Sequence, residues 1–429
     1  MLSPADRAEK IKAVIRAGSG NFLELYDFLV YVYFATYIAK AFFPTRSEFI
    51  SLMLALGTYG VASIARPFGA VILGSYMDRK GRRKGLILTL TLMAVGTVSL
   101  ALTPSYATIG LWAPFLVTLG RVIQGFSLGV EAGGVNVYLA EIATPKHRGF
   151  YCAWQGASQA LGVMVATGLG AVLTATLAPA DMEAWGWRIP LIVGCMIVPV
   201  LFWLRRSLQE TEYFQHSTHA RSTLEILKIL AEHWQIVAIG VALTILNTTM
   251  FYFVNGYTTT FGSQTLHLPP VVNFIVAFIV ATASFVMLPL GGALSDRVGR
   301  WPMVIGAPVL ILVTSYLALS WLVAAPSFSR FLIVEFWLAV LYATYAGALV
   351  PLMTEIMPDK VRSSGYAIIL SLANGLFGTF TPTIALGLTQ LLHDSAAPAL
   401  WLSTGAVVSI LTALVALRLA PKLALQAAE

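Results

Sequence analysis

Charge is scarce in this sequence. Asp, Glu, Lys and Arg make up 11% of its 429 residues, where a soluble chain carries about 25%. That shortage leaves no room for a soluble catalytic domain. Cysteine is scarcer: Cys152 and Cys195 both fall in apolar stretches, so no disulfide framework is expected. His147, His216, His219, His233, His267 and His393 fall between apolar runs or at their ends. No Walker sequence, zinc-ligand spacing or Ser-His-Asp set stands out. An enzyme reading is therefore weak, and no cofactor or resident metal is expected. The N-terminal stretch MLSPADRAEKIKAVIRAG is charged and amphipathic and lacks a small-residue cleavage site, so it does not read as a leader, and the first apolar run is expected to be kept.

What the chain has instead is apolar surface: 58% of its residues are hydrophobic, with a mean hydropathy of +0.78. Runs long enough to cross a bilayer as one helix centre at roughly residues 30, 64, 97, 127, 163, 196, 247, 282, 313, 342, 376 and 409. An all-α membrane protein of twelve transmembrane helices is expected, and the even number puts both termini on one side. Basic residues of short loops mark the cytoplasmic face. Arg79, Lys80, Arg82, Arg83 and Lys84, then Lys146 and Arg148, Arg297 and Arg300, and Lys360 and Arg362 all fall on the side of the termini. The opposite side receives Lys40, Arg46, Arg188 and Arg330. Both termini are therefore expected in the cytoplasm. The net charge of +7 is a topology signal and no nucleic-acid partner is expected; the lipid bilayer is the obvious neighbour.

Charges inside the spans carry the functional signal. The stretch WAPFLVTLGRVIQGFSLGVEAGGVNVYLAE, from Trp112 to Glu141, holds Arg121 and Glu131. A charge at the centre of a spanning helix costs about 2.5–3.5 kcal/mol on insertion scales, so such residues face protein or water. Arg121, Gln124, Ser127 and Glu131 share one helical side. That stripe reads as the lining of a route across the membrane, or as an internal ion pair tying helices together. In the first span, Asn21, Glu24, Asp27 and Tyr31 share a face, and the two acids are candidates for carrying a proton or binding a cation. In the second, Arg66 precedes Pro67 and Gly69, where a local kink is expected. Arg66 could bind an anion or pair with Asp27 or Glu131.

The chain also repeats itself. Gly74, Asp78, Arg79, Gly81 and Arg82 recur as Gly292, Asp296, Arg297, Gly299 and Arg300, at a constant offset of 218. Glu141 and Arg148 are echoed by Glu355 and Arg362. Parallel repeats of this kind mark transporters whose halves rock about a site near mid-membrane. Two pseudo-symmetric six-helix bundles are expected, at 1–204 and 236–429, joined by a polar cytoplasmic linker at 205–235.

These loops, the RVIQG string and the six-plus-six layout resemble the major facilitator superfamily. GNFLELYDF, ARPFGA, RVIQGFSLGVEAGG and PKHRGFYCAWQGASQALG resemble one branch, the metabolite:proton symporters, and most of all its citrate and tricarballylate carriers. The resemblance implies the facilitator fold, alternating access and residence in the bacterial inner membrane, with one chain expected to suffice. It also implies that Asp78, Arg79 and Arg82, with Asp296, Arg297 and Arg300, hold the cytoplasmic gate. The second loop, DRVGRWP, is less basic than the first, which sets the two loops apart as latches.

The expected chemistry follows from charge asymmetry. Arginine grips carboxylates through a two-pronged fork and stays ionised. Arg66 and Arg121 together suit a small organic polycarboxylate. Gln124, Gln155, Gln159, Asn255, Tyr345 and Asn374 are the uncharged candidates that would complete the site. A multivalent anion moving into a negative interior works against about 2.3 kcal/mol per charge per 100 mV. It needs co-transported cations, protons or sodium, with Glu24, Asp27 and Glu131 as the coupling acids and Asp27 and Glu131 as the place a sodium ion would sit. A proton-coupled betaine or proline carrier, a monocarboxylate or dicarboxylate symporter, and a non-transporting membrane sensor are the rival readings. The third, sixth, ninth and twelfth spans hold little polarity and read as lipid-facing supports.

Overall fold

A computed structural model of the chain describes residues 4–80, 82–129, 131–206, 228–229, 231–357 and 362–428. The side chains of Glu24, Asp78, Arg79, Arg82 and Glu131, and most of the linker at 205–235, lie outside the described set. Among the described residues every regular element is helical.

The helices make twelve spans. Span 1 is Pro4–Tyr33 continued by Ala35–Phe42, span 2 Glu48–Lys80, and span 3 Arg82–Leu102. Span 4 is Trp112–Leu128 and Glu131–Ile142, span 5 Arg148–Thr176, and span 6 Ile189–Arg206. Span 7 joins Trp234–Tyr252 to Thr258–Gln264 through a π-helical turn, Phe253–Tyr257. Span 8 is Pro270–Val298, span 9 Arg300–Ala324, and span 10 Phe328–Ile356. Span 11 joins Arg362–Ala373 to Thr381–Leu392 through a second π turn, Asn374–Gly378, and span 12 is Pro398–Ala428. Among the described residues, eight of these are long and apolar enough by themselves to cross a membrane, and Ile87–Leu102 and Gly186–Pro199 are shorter apolar helices. Spans 1 and 4 are the remaining two; they carry Asp27 and Arg121. Below, the face at which spans 1 and 12 end in the chain termini is the terminal face, and the other is the far face.

Lipid offers helices no hydrophobic reason to associate, so close packing and small residues must hold them. A Cβ at Gly125 of span 4 would overlap the Ala62 carbonyl of span 2, and one at Gly69 would overlap the Phe126 carbonyl. That seam brings Arg66 and Arg121 into one neighbourhood. Span 2 stays helical through Pro67, so the expected kink does not break it. Proline has no N–H to offer the carbonyl four residues back. That carbonyl, Ser63 O, lies instead against Gly375 of span 11, where a Cβ would sit 2.7 Å away. Span 5 meets span 8 along much of its length, with Gly149 and Gly292 backbone to backbone and Gly170 seating the Phe274 ring.

The bundles spans 1–6 and 7–12 touch at both faces. At the far face, the Tyr33 hydroxyl donates to Asn255 O, Phe34 packs on Phe274 at 5.2 Å, and Tyr59 meets Tyr252 edge-on at 6.1 Å. At the terminal face, Asp296 accepts from the Gly149 and Phe150 amides at 2.8 and 3.0 Å.

Candidate functional site

Between the bundles lies a chamber, from mid-membrane toward the terminal face. Its polar lining is Arg66, Asn136, Gln155, Gln159, Asn247, Thr248, Tyr252, Tyr342, Tyr366 and Asn374, with Phe28 and Phe251 among its apolar walls. Arg66, Gln155, Gln159 and Asn374 are thus brought together as the sequence suggests. Arg66 is 8% exposed, its Nε is buried without a hydrogen-bond partner, and its guanidinium stacks 4.4 Å from the Phe28 ring centre. The alternative pairing of Arg66 with Asp27 does not form, because Asp27 is held elsewhere. The alternative with Glu131 falls on a side chain outside the described residues.

Arg121 is placed differently from the expectation that it lines the route. It is 0% exposed and does not line the chamber. Its Nη1 donates to Gln124 Oε1 at 2.7 Å, and Nη2 reaches Phe28 O at 3.5 Å. Its guanidinium sits over the rings of Phe28, Tyr31 and Tyr59, at 4.5, 4.6 and 5.3 Å from their centres. Such cation–π contacts are worth up to about 2 kcal/mol each when desolvated. Phe28 thus stands in contact with both guanidiniums and with the chamber.

Gln124 does not bind from the wall either; it bridges. Its Nε2 donates to Asp27 Oδ2 at 2.6 Å and to Thr97 Oγ1 at 2.9 Å. Thr97 also donates to Asp27 Oδ2 at 2.7 Å. Arg121 and Asp27 are therefore joined through a neutral amide, with no direct ion pair between them. Span 3, read as a lipid-facing support, supplies Thr97 to this network. A single threonine in an apolar run carries no sequence signal beyond its depth. Span 6 helps by omission: a Cβ at Gly194 would stand 3.1 Å from Asp27 Oδ1.

Two further candidates lie outside the chamber. Asn255 is in the π turn of span 7, its Nδ2 donating to Phe251 O at 3.1 Å. It belongs to the far-face closure. Tyr345 hydrogen-bonds Leu243 O and Ser409 Oγ, each at 2.7 Å, and ties span 10 to spans 7 and 12. Sequence reasoning overlooked Phe28, Asn136 and Tyr366. Asn136 shares its helix with Glu131 and could have been found by depth; Tyr366 looks like an interfacial anchor until its neighbours are known.

At the terminal face the second loop forms a cluster. Arg300 donates to Ser295 Oγ at 2.6 Å, Asp296 Oδ1 at 2.8 Å and Glu355 Oε1 at 3.4 Å. Arg148 lies 3.9 Å from Glu355, and Arg297 is exposed. Asp296 and Arg300 are thus in a contact between bundles, and no such contact of Arg297 occurs among the described residues. The counterparts Asp78, Arg79 and Arg82, like Glu24 and Glu131, fall outside the described side chains. No group of three or more metal-ligating His, Cys, Asp or Glu side chains occurs among the described residues.

Residues 12–231 match the family model described as sugar (and other) transporter. The chain belongs to the major facilitator superfamily. It is an integral membrane transporter. It is 47% identical over 401 residues to a citrate-proton symporter of Salmonella typhi, covering 94% of this chain and 92% of that one. A citrate-proton symporter of Klebsiella pneumoniae is 47% identical over 402 residues, covering 94% and 90%. The alpha-ketoglutarate permease of Escherichia coli is 31% identical over 400 residues, covering 92% and 91%. Among solved structures, a xylose transporter of E. coli in a partially occluded inward-open conformation superposes with a TM-score of 0.74 at 18% identity, covering 95% and 97%. That likeness speaks to the fold.

Proposed function

We propose that this facilitator is a symporter that takes up citrate with protons, using the chamber as its binding site. The observation that carries the reading is Arg66: a buried guanidinium with a free Nε, facing a cavity shared with five side-chain amides, Asn136, Gln155, Gln159, Asn247 and Asn374. A carboxylate on Arg66 gains charge-assisted hydrogen bonds and relieves a buried donor that costs about 1–3 kcal/mol unsatisfied. The amides and tyrosine hydroxyls serve the remaining carboxylates and the citrate hydroxyl without adding charge. The 47% identical citrate-proton symporters point to the same substrate and to protons as the driving ion.

Asp27 is the proton carrier in this reading. The chain Arg66–Phe28–Arg121–Gln124–Asp27 runs from chamber to carboxyl. Protonating Asp27 weakens the hold on Gln124, which frees Arg121 to respond to the anion at Arg66. The bundles at 1–204 and 236–429, linked through 205–235, rock about this point. The terminal face is cytoplasmic, so Asp296, Arg300 and Glu355 latch the inner gate, with Arg297 beside them and Asp78, Arg79 and Arg82 as the matching loop. Glu24 and Glu131 are the remaining candidates for coupling. The chain works in a bacterial inner membrane as a monomer.

The test is uptake and counterflow of labelled citrate in proteoliposomes, with proton and sodium gradients imposed separately. Accumulation on a proton gradient alone is expected. Accumulation that requires sodium would reject the proton assignment, and equal competition by betaine would favour an osmolyte carrier. Failure of citrate counterflow would reject the substrate.

A further inference from the structure

The mechanism above leaves one buried acid unused. Glu335 lies in the far half of span 10, 1% exposed, and makes no ion pair among the described residues. The elements around it offer it no cation. Span 7 holds no charged residue from Trp234 to Gln264. The charged residues of spans 5, 8, 9, 11 and 12, such as Arg148, Asp296, Arg300, Arg362 and Arg418, fall toward the terminal face. Span 4 meets span 10 through its Glu131–Ile142 segment, also toward that face. Arg330, on span 10 itself, is engaged with Trp321 through its carbonyl at 2.8 Å and its ring at 4.6 Å. His267 and His393 are in exposed far-face loops, and Asp394 is taken by the Tyr316 hydroxyl.

The group that does face Glu335 is the Thr258 hydroxyl. Its Oγ1 lies 2.7 Å from Val254 O and 3.1 Å from Glu335 Oε2. A hydroxyl has one hydrogen, and the Val254 carbonyl can only accept. Once that hydrogen goes to the nearer carbonyl, the Glu335 contact is filled only if Glu335 brings a proton and donates it to Oγ1. That assignment of the hydrogen goes with a neutral Glu335 in this conformation, the form that burial away from any cation favours. An unpaired carboxylate at this depth would be expensive.

Position gives the proton a use. Thr258 opens the short arm Thr258–Gln264, just after the π turn, a feature frequent at functional sites. From that turn, Asn255 O takes the Tyr33 hydroxyl of span 1. We propose that Glu335 is a gating proton site: it holds a proton while the far face is closed and exchanges it with outside water when the span 7 arm moves away. One proton passes from outside water to Oε2 on closing and returns on opening, so it is not among those carried with the substrate. This rests on the transport reading for its direction, outside being the far face.

Infrared difference spectra of the purified full chain at neutral pH test the site without transport. Wild type is expected to show the carbonyl stretch of a protonated carboxylic acid that Glu335→Gln lacks. Thr258→Val should shift that band to the position of an acid without a hydrogen-bond partner, and it serves if the glutamine variant does not insert. In proteoliposomes, Glu335→Gln should flatten the external-pH dependence of uptake by up to about tenfold per pH unit, the limit for one proton, with protons per citrate unchanged. Identical spectra for wild type and Glu335→Gln, or a Thr258→Val band that does not move, would overturn the proposal. So would a changed proton-to-citrate ratio. Absence of citrate uptake by wild type would instead count against the substrate, leaving the infrared band to decide Glu335.

Discussion

The two bundles bury charge in opposite ways. In spans 1–6, Asp27 and Arg121 are both sealed from water, yet they are joined through Gln124 and braced by Thr97 and three aromatic rings. In spans 7–12, Glu335 has a single hydroxyl for company among the described residues. A network shares the cost of a charge among several donors, so it can be tuned by what happens in the neighbouring chamber. An isolated acid cannot share it, and responds to water reaching it. In the reading proposed above, the buried charges of the first bundle do substrate-linked work and the buried acid of the second does gate-linked work, while both bundles line the chamber.

The bluntest way to break that contrast is to pry open the first bundle. Gly125→Leu would force span 4 off the Ala62 carbonyl. A loss above about 4 kcal/mol is expected from such overlap, read as absence of a monodisperse peak in size-exclusion chromatography. Arg66→Ala comes next. Removing one partner of a buried charge pair costs about 2–5 kcal/mol, so citrate-induced thermal stabilisation should fall by a factor of at least roughly 30 in apparent affinity, while the protein still inserts.

Smaller changes sharpen the comparison. Asp27→Asn should abolish uphill accumulation but keep citrate exchange, since the chamber wall is untouched; loss of both in counterflow assays would move Asp27 into the binding site. Arg121→Ala should resemble Asp27→Asn in losing accumulation, with citrate stabilisation reduced less than in Arg66→Ala. Equal reduction would show that Arg121 reaches the anion directly. The mildest is Thr97→Val: an interhelical hydrogen bond in a membrane averages about 0.6 kcal/mol, so uptake should change by less than about threefold. A large loss would mean that Thr97 relays the proton and does more than brace the acid.

Much is legible in the sequence. Bilayer thickness sets the length of every span, and the cost of burying charge singles out Asp27, Arg66 and Arg121 at once. The repeat of Gly74–Arg82 at Gly292–Arg300 announces two bundles. Those features follow from the solvent and from the chain's own periodicity, so the sequence alone determines them. Which buried side chains meet each other, and which meet the chamber, was decided by tertiary structure. Helical spacing puts Arg121 and Gln124 on one face, but it does not say that Phe28 stands between that face and the cavity. It puts Tyr345 at mid-depth without naming Ser409 as its partner. Nor does it foretell the π turns that rotate Asn255 and Asn374 into different surroundings. The rotation of each helix about its axis depends on how glycines and rings from other spans fit against it, and that fit exists only once all the spans are packed.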